Sequence, residues 1–209
     1  LLDVPCGDGR LALRVAAAEA GHDVVGVDLS PVAIERLLVE ATAAGLPRVS
    51  AWIGDMRHLR DVLHSSPSFD GAWCMGNSFG YLSPPDTARF LDALSTALRP
   101  GARFVLDAAI VAECVLPHLG ADDRYESDGA TLVNVNTYDA VTSTMVTDMT
   151  LTFGGRHARR VVRHRVMTCG EIVEDLRRAG ISVVDVFGTL DGEPFKLGSP
   201  RCLIVAQRR

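Results

Sequence analysis

The first 28 residues constrain this chain more than any other stretch. Leu1-Leu2-Asp3-Val4 reads as a short buried strand ended by Pro5, and Cys6-Gly7-Asp8-Gly9 as a turn. Leu11, Val15 and the alanines at 16–18 then form the apolar side of a helix that Gly21 ends, and Asp23–Asp28 is a second strand tipped by a carboxylate. Glycines at a strand-to-helix turn leave backbone N–H groups bare, so a ligand can come close without meeting a side chain. Asp28 lies nineteen residues past Gly9. At a strand end, such a carboxylate can accept hydrogen bonds from both hydroxyls of a ribose. The glycine turn alone is a weak signal, and its pairing with the acid is a much stronger one.

The same alternation continues. Ser30-Pro31 supply an N-cap and a first-turn proline for a helix bearing Ile34, Leu37, Leu38 and Ala41, and Gly45-Leu46-Pro47 stop it. Val49–Gly54 is a third strand ending at Asp55, and Phe69–Met75 a fourth ending at Gly76-Asn77-Ser78. Pro84-Pro85-Asp86 open a helix with Ala88, Leu91, Leu94 and Leu98 on one side; Pro100-Gly101 close it before a fifth strand, Ala102–Ala108. Near-continuous apolar strands alternating with helices predict a mostly parallel sheet covered on both faces.

From about Thr131 to Met167 the period changes to two. Val133 and Val135 alternate with Asn134 and Asn136, and Met145, Met149, Leu151 and Phe153 with Thr144, Asp148, Thr150 and Thr152, as in half-buried antiparallel strands. A third such strand, Arg160–Met167, follows the Gly154-Gly155 turn. Thr168 and Glu171 then form a capping box for a helix that ends at Gly180. Ile181–Phe187 and Cys202–Ala206 read as a closing hairpin at the sheet edge. The expected fold is α/β: a Rossmann-like, doubly wound, seven-stranded, mostly parallel sheet with a C-terminal antiparallel hairpin and an inserted antiparallel β cap. Residues 1–109 form the cofactor-binding core, 110–167 the cap and 168–209 the completion of the core, within a single domain.

A formal charge of −5 argues against gripping nucleic-acid phosphates and for a small-molecule partner. No apolar run reaches the ~18 to 20 residues of a membrane span. The five cysteines form no close C-x-x-C pair, which points to free thiols in a reducing, cytoplasmic setting and away from a zinc site. Leu1 already lies inside the first strand, so a further N-terminal segment is expected before it.

On these residues the chain resembles the class I S-adenosylmethionine-dependent methyltransferases, from Leu1 to the last strand. LLDVPCGDGR looks like their first motif, and Gly54-Asp55-Met56 like their third cofactor element. The resemblance implies S-adenosyl-L-methionine as cofactor and S-adenosyl-L-homocysteine as product. It places Asp3, Cys6, Gly7 and Gly9 beside the cofactor's amino-acid end, Asp28 at the ribose, Asp55 and Met56 at the adenine, and Met75 over the methionine part, with Leu29 as a further cofactor-binding residue. A dinucleotide dehydrogenase shares the turn and the ribose acid. Its usual third glycine is Ala12 here, a permitted variant, so that spacing does not separate the two. The Cys6-Gly7 start, the Asp55 element and the late hairpin favour the methyltransferase. A non-catalytic cofactor-binding relative is the third option.

Cys74 to Leu82, CMGNSFGYL, lies beyond a strand's carboxyl end, where parallel sheets bind ligands. Its GNSF is similar to a segment of glycine N-methyltransferases, in which the matching asparagine meets the substrate carboxylate. Asn77 and Tyr81 are therefore expected to orient a small-molecule acceptor, an amine slightly ahead of a hydroxyl. The arginines from Arg156 to Arg165 read as the solvated face of a strand, with pairing to a substrate carboxylate as the sharper alternative. His118, His157 and His164 are read as surface histidines, with a catalytic base as the alternative. The inserted strands are expected to cover the pocket or to form a homodimer surface.

Overall fold

The computed structural model describes residues 1–18, 21–63, 68–120 and 123–209. The N-terminal half is built of β1 (Leu2–Asp3), α1 (Arg10–Ala16), β2 (Val24–Asp28), α2 (Pro31–Ala43), β3 (Val49–Ile53), α3 (Leu59–Val62), β4 (Phe69–Cys74), α4 (Pro84–Ala97) and β5 (Leu98–Asp107). After the short α5 (Ala112–Val115) come four antiparallel strands, β6 (Asp123–Ser127), β7 (Ala130–Asp139), β8 (Thr144–Phe153) and β9 (Arg156–Arg165). The chain finishes with α6 (Cys169–Arg178), β10 (Ile181–Phe187) and β11 (Leu203–Arg208).

Helix starts follow the capping residues. Ser30 Oγ accepts from the Ala33 N–H with Pro31 in the first turn, and the Thr168–Glu171 box is closed in both directions. Each such cap is worth ~1 kcal/mol. The main sheet runs β10-β11-β5-β4-β1-β2-β3, parallel from β5 through β3, with β11 antiparallel to β5 and to the edge strand β10. The chain winds outward from β1 to β3 and returns to β4 on the other side of β1. That reversal opens a crevice at the carboxyl ends of β1 and β4, where such sheets bind ligands. One apolar cluster gathers Ala12, Ala16, Ile34 and Leu37; a larger one gathers Phe90, Leu91, Leu94, Phe104, Ile172 and Leu176. β2 feeds Val24 to the first and Val27 to the second, as expected of a strand covered on both faces.

Three boundaries differ from the sequence expectation. Pro100-Gly101 does not end α4, which stops at Ala97; both residues lie within β5, where the pairing with β4 jumps from Phe69–Leu98 to Gly71–Arg103. A bulge of this kind accommodates a proline that has no ladder donor. The inserted sheet has four strands, not three, because β6 (DRYES) is a mostly exposed, charged edge strand without apolar alternation, held by pairing to β7 alone. β9 begins at Arg156, not Arg160, because the two-glycine turn lets pairing resume at once between Phe153 and Arg156. The cap sheet is tied to the core by a parallel bridge between Val111 and Met167 and by the Ala112 N–H donating to the Met167 carbonyl at 2.9 Å. Among the described residues no helix is long and apolar enough to cross a membrane.

Candidate functional site

The loop after β1 is clamped to the end of β2. The Gly7 N–H donates to Asp28 Oδ2 at 2.8 Å and the Ser30 N–H to Oδ1 at 2.9 Å, while the Cys6 N–H donates to the Val27 carbonyl at 2.9 Å. Both carboxylate oxygens are thereby aimed, each with a lone pair left for a ligand. Three cavities meet around this clamp. A small one of about 280 Å³ is lined by Asp3, Cys6, Gly7, Asp28, Met75 and Gly76. A wider one of about 780 Å³ runs past Asp28, Leu29, Asp55, Met56, Tyr81 and Arg160. The third, about 520 Å³, lies under the cap sheet between Asn77, Tyr81, Asp123, Asn134, Asn136 and His164. Asp28 borders the first two, Gly76 the first and third, and Tyr81 the second and third.

All but one of the sequence-predicted site residues line these cavities. Gly9 is packed beneath them. Its φ is +83°, and a Cβ there would stand 2.0 Å from Leu37 Cδ1, so it sets the distance between the loop and α2. Gly9→Ala combines left-handed strain with overpacking and is expected to lower unfolding stability by about 3 kcal/mol in denaturant titrations. Gly9→Ala with wild-type stability would contradict this packing role.

Asp3 is 2% exposed, and burial raises its carboxyl to about 7, with Asp28 adding to the rise against the opposing effect of Trp73 and the Ala12 N–H. Burial also pushes the Cys6 thiol up to about 12, which makes it an inert wall. Asp55 is less free than its sequence context implies. Its Oδ1 accepts from the Arg57 N–H at 2.9 Å, and Arg57 Nε lies 3.0 and 2.8 Å from its two oxygens. The Arg57 side chain holds the Asp55 carboxyl below its ordinary value.

Asn77 adopts φ +66°, and its Oδ1 accepts from the Ala109 N–H at 2.5 Å, tying the end of β4 to the end of β5. Tyr81 stacks on His164 with ring centroids 4.2 Å apart and planes tilted by 36°. His164 is 7% exposed, which corrects its reading as a surface residue; β9 turns it inward. His157 and His118 are exposed, the former 3.0 Å from Thr152 Oγ1, and His118 also borders the third cavity.

Sequence reasoning missed the cap's polar lining. Thr147 Oγ1 donates to Asn136 Oδ1 at 2.7 Å, Asn136 Nδ2 donates to Asp123 Oδ2 at 3.1 Å, and Asn134 Oδ1 is buried without a partner. The available signal was two asparagines alternating with valines. The register pairs Asn134 with Met149 and Asn136 with Thr147, so the asparagine face of β7 looks into the cavity and the Val133–Val135 face looks away. The arginine cluster splits in the same way. Arg159 pairs with Asp148 on the outer face, whereas Arg160 reaches the wider cavity.

Residues 1–101 match the family model of a methyltransferase domain. The tRNA U34 carboxymethyltransferase of Azotobacter vinelandii is 33% identical over 125 residues, which are 60% of this chain and 37% of that protein. The chain thus spans little over a third of this curated relative. The CcbJ methyltransferase of Streptomyces caelestis superimposes with a TM-score of 0.85 at 18% identity, over 99% of this chain and 82% of that one. An amino pentose methyltransferase from Micromonospora echinaspora, involved in calicheamicin biosynthesis, gives 0.74 at 24%, over 100% and 82%. At these identities the two structures are similar to this chain in fold.

Proposed function

We propose that this chain, whose residues 1–101 match a methyltransferase-domain family model and whose fold is similar to that of solved methyltransferases, is a class I S-adenosylmethionine-dependent methyltransferase that transfers a methyl group to a small polar amine held beneath the cap sheet. S-adenosyl-L-methionine is its cofactor and S-adenosyl-L-homocysteine the product. The observation that carries the reading is that the cap cavity shares a wall residue with each of the two cavities beside the clamp, Gly76 with the small one and Tyr81 with the wider one.

The residues present fit the cofactor. A Cβ placed on Gly7 or Gly76 would meet nothing within 4 Å, so the backbone on both sides of the small cavity is open to a ligand. Asp3 would meet the ligand's amino group, Asp28 the ribose hydroxyls, and Leu29 and Met56 the faces of the adenine. Cys6, Gly7 and Met75 would wall the methionine part. Asp55 can reach the adenine amino group only by sharing its carboxylate with Arg57. The cofactor supplies a methyl group on a positively charged sulfur. The chain's own part is to hold the acceptor lone pair in line with that methyl and to exclude water, and orientation of this kind supplies up to roughly 7 to 11 kcal/mol.

Among the described residues no arginine or lysine lines the cap cavity and Asp123 is the one carboxylate there, with Asn77, Asn134, Asn136 and Thr147 as hydrogen-bonding neighbours. Such a lining suits an amine bearing hydroxyl groups and disfavours an amino acid with a free carboxylate. Asn77, whose Oδ1 already accepts from the Ala109 N–H, offers the acceptor its amide N–H groups and one remaining lone pair. An amino pentose acceptor, as named for the Micromonospora protein, has this chemistry.

The test has two parts. Calorimetry should show S-adenosylhomocysteine binding, and a radiolabelled-methyl screen should label hydroxylated amines ahead of α-amino acids, hydroxyl compounds and tRNA. Tight NADH binding without S-adenosylhomocysteine binding would move the case to a dehydrogenase. Cofactor binding with no labelled product in any class would leave a non-catalytic relative.

A further inference from the structure

We propose that His164 is the group that receives the acceptor amine's proton, with the Tyr81 ring fixing its orientation. The inference rests on the methyltransferase reading above and adds a catalytic residue to it.

His164 stands on β9 opposite Met145 of β8, on the face of the cap sheet that lines the acceptor cavity. Its Nδ1 is buried without a hydrogen-bond partner. A buried polar atom left unpaired costs about 1 to 3 kcal/mol, so a histidine used only for packing would be inferior to leucine or phenylalanine at this point. Its ring lies against Tyr81, the residue shared by the acceptor cavity and the wider cofactor cavity. Gly80 permits that approach, since a Cβ there would stand 3.3 Å from His164 Cδ2. Three independent placements therefore bring one imidazole to the junction between the donor and acceptor spaces.

Burial lowers the His164 pKa, so at neutral pH the ring is uncharged and carries a lone pair. Among the described residues the titratable groups lining the same cavity are Tyr81, Cys114, His118, Asp123 and Tyr125. Arg163 and Arg165, next to His164 along β9, point to the opposite face. In the reaction, the amine lone pair forms the new N–C bond and the C–S bond breaks with its electron pair going to sulfur. One N–H proton of the resulting ammonium passes to the imidazole lone pair and leaves an imidazolium. Before transfer, the same N–H donating to the ring aims the amine lone pair at the methyl.

The test does not require the natural acceptor. Sinefungin carries a CH–NH2 group where the cofactor carries S–CH3, so its amine takes the place of the methyl group and puts an N–H donor at the transfer point. Its affinity and that of S-adenosylhomocysteine are to be measured by calorimetry from about pH 5.5 to about pH 8 for wild type, His164→Leu and His164→Gln. The sinefungin preference is expected to fall about tenfold in His164→Leu and to be partly kept in His164→Gln, whose amide oxygen can accept; S-adenosylhomocysteine affinity stays within about twofold. In wild type the preference should also fall as the pH is lowered and the ring protonates, a dependence that His164→Gln lacks. An unchanged preference and pH profile in the folded variants would reduce His164 to packing. If His164→Leu does not fold, the pH dependence of wild type against His164→Gln decides alone. Failure of wild type to bind S-adenosylhomocysteine is a different result, and overturns the methyltransferase reading together with this one.

Discussion

Asp28→Ala is expected to weaken S-adenosylhomocysteine binding about a thousandfold, or ~4 kcal/mol, in calorimetry at neutral pH. Two charge-assisted hydrogen bonds to the ribose hydroxyls would account for most of that figure, at ~1.5 kcal/mol each. The remainder is positional. With the carboxylate gone, the Gly7 and Ser30 N–H groups lose their acceptors at 2.8 and 2.9 Å, and the glycine loop loses its clamp to β2. Asp28→Asn should be intermediate, because one amide oxygen replaces two acceptors and the NH2 group faces a backbone donor. Global stability should change little, since Asp28 is only half-buried at a strand end. Asp28→Ala binding within about threefold of wild type would remove Asp28 from the site.

Asp3 is expected to make both stability and cofactor affinity depend on pH, in opposite directions. Its folded pKa, about 7, lies well above the ordinary carboxyl value of 3.8. The folded state therefore binds the proton more tightly, so the stabilisation is complete below about pH 4, is lost progressively as pH rises towards 7, and is constant beyond. A difference of about three pKa units corresponds to ~4 kcal/mol across that window. Asp3→Asn should remove this slope, so the wild-type-minus-variant difference in unfolding free energy should fall by a few kcal/mol between about pH 4 and about pH 7.5. Ligand binding runs the other way. An ammonium beside Asp3 favours the carboxylate, so binding below about pH 7 must expel a proton, and affinity should rise with pH up to that point. Asp3→Asn should bind more weakly and with a flatter profile. Wild-type affinity that is flat between about pH 5.5 and about pH 8 would show that Asp3 does not face the ligand's amino group.

Local chemistry made much of this molecule readable in one dimension. The Ser30-Pro31 cap, the Thr168–Glu171 box, the Gly154-Gly155 turn and the strand-ending acids Asp28 and Asp55 act within a few residues of themselves, and each stands where its neighbours imply. The doubly wound core followed because apolar strands alternating with capped helices have few other ways to bury both faces. β6 was not legible, since a charged edge strand becomes a strand only through its partner.

The acceptor side was not legible either, and the reason is the period of a strand. Alternation says which residues share a face and leaves open which face turns inward. The register of β7 on β8 and the bridge from Val111 to Met167 made that choice, and they put Asn134, Asn136, Thr147 and His164 inside. The 28-residue opening by itself determined a glycine loop clamped to a strand-end acid on a parallel sheet, because its glycines and its acid act through the backbone next to them. What stands across from that loop and acid was decided only by the tertiary docking of a sheet that begins at Asp123.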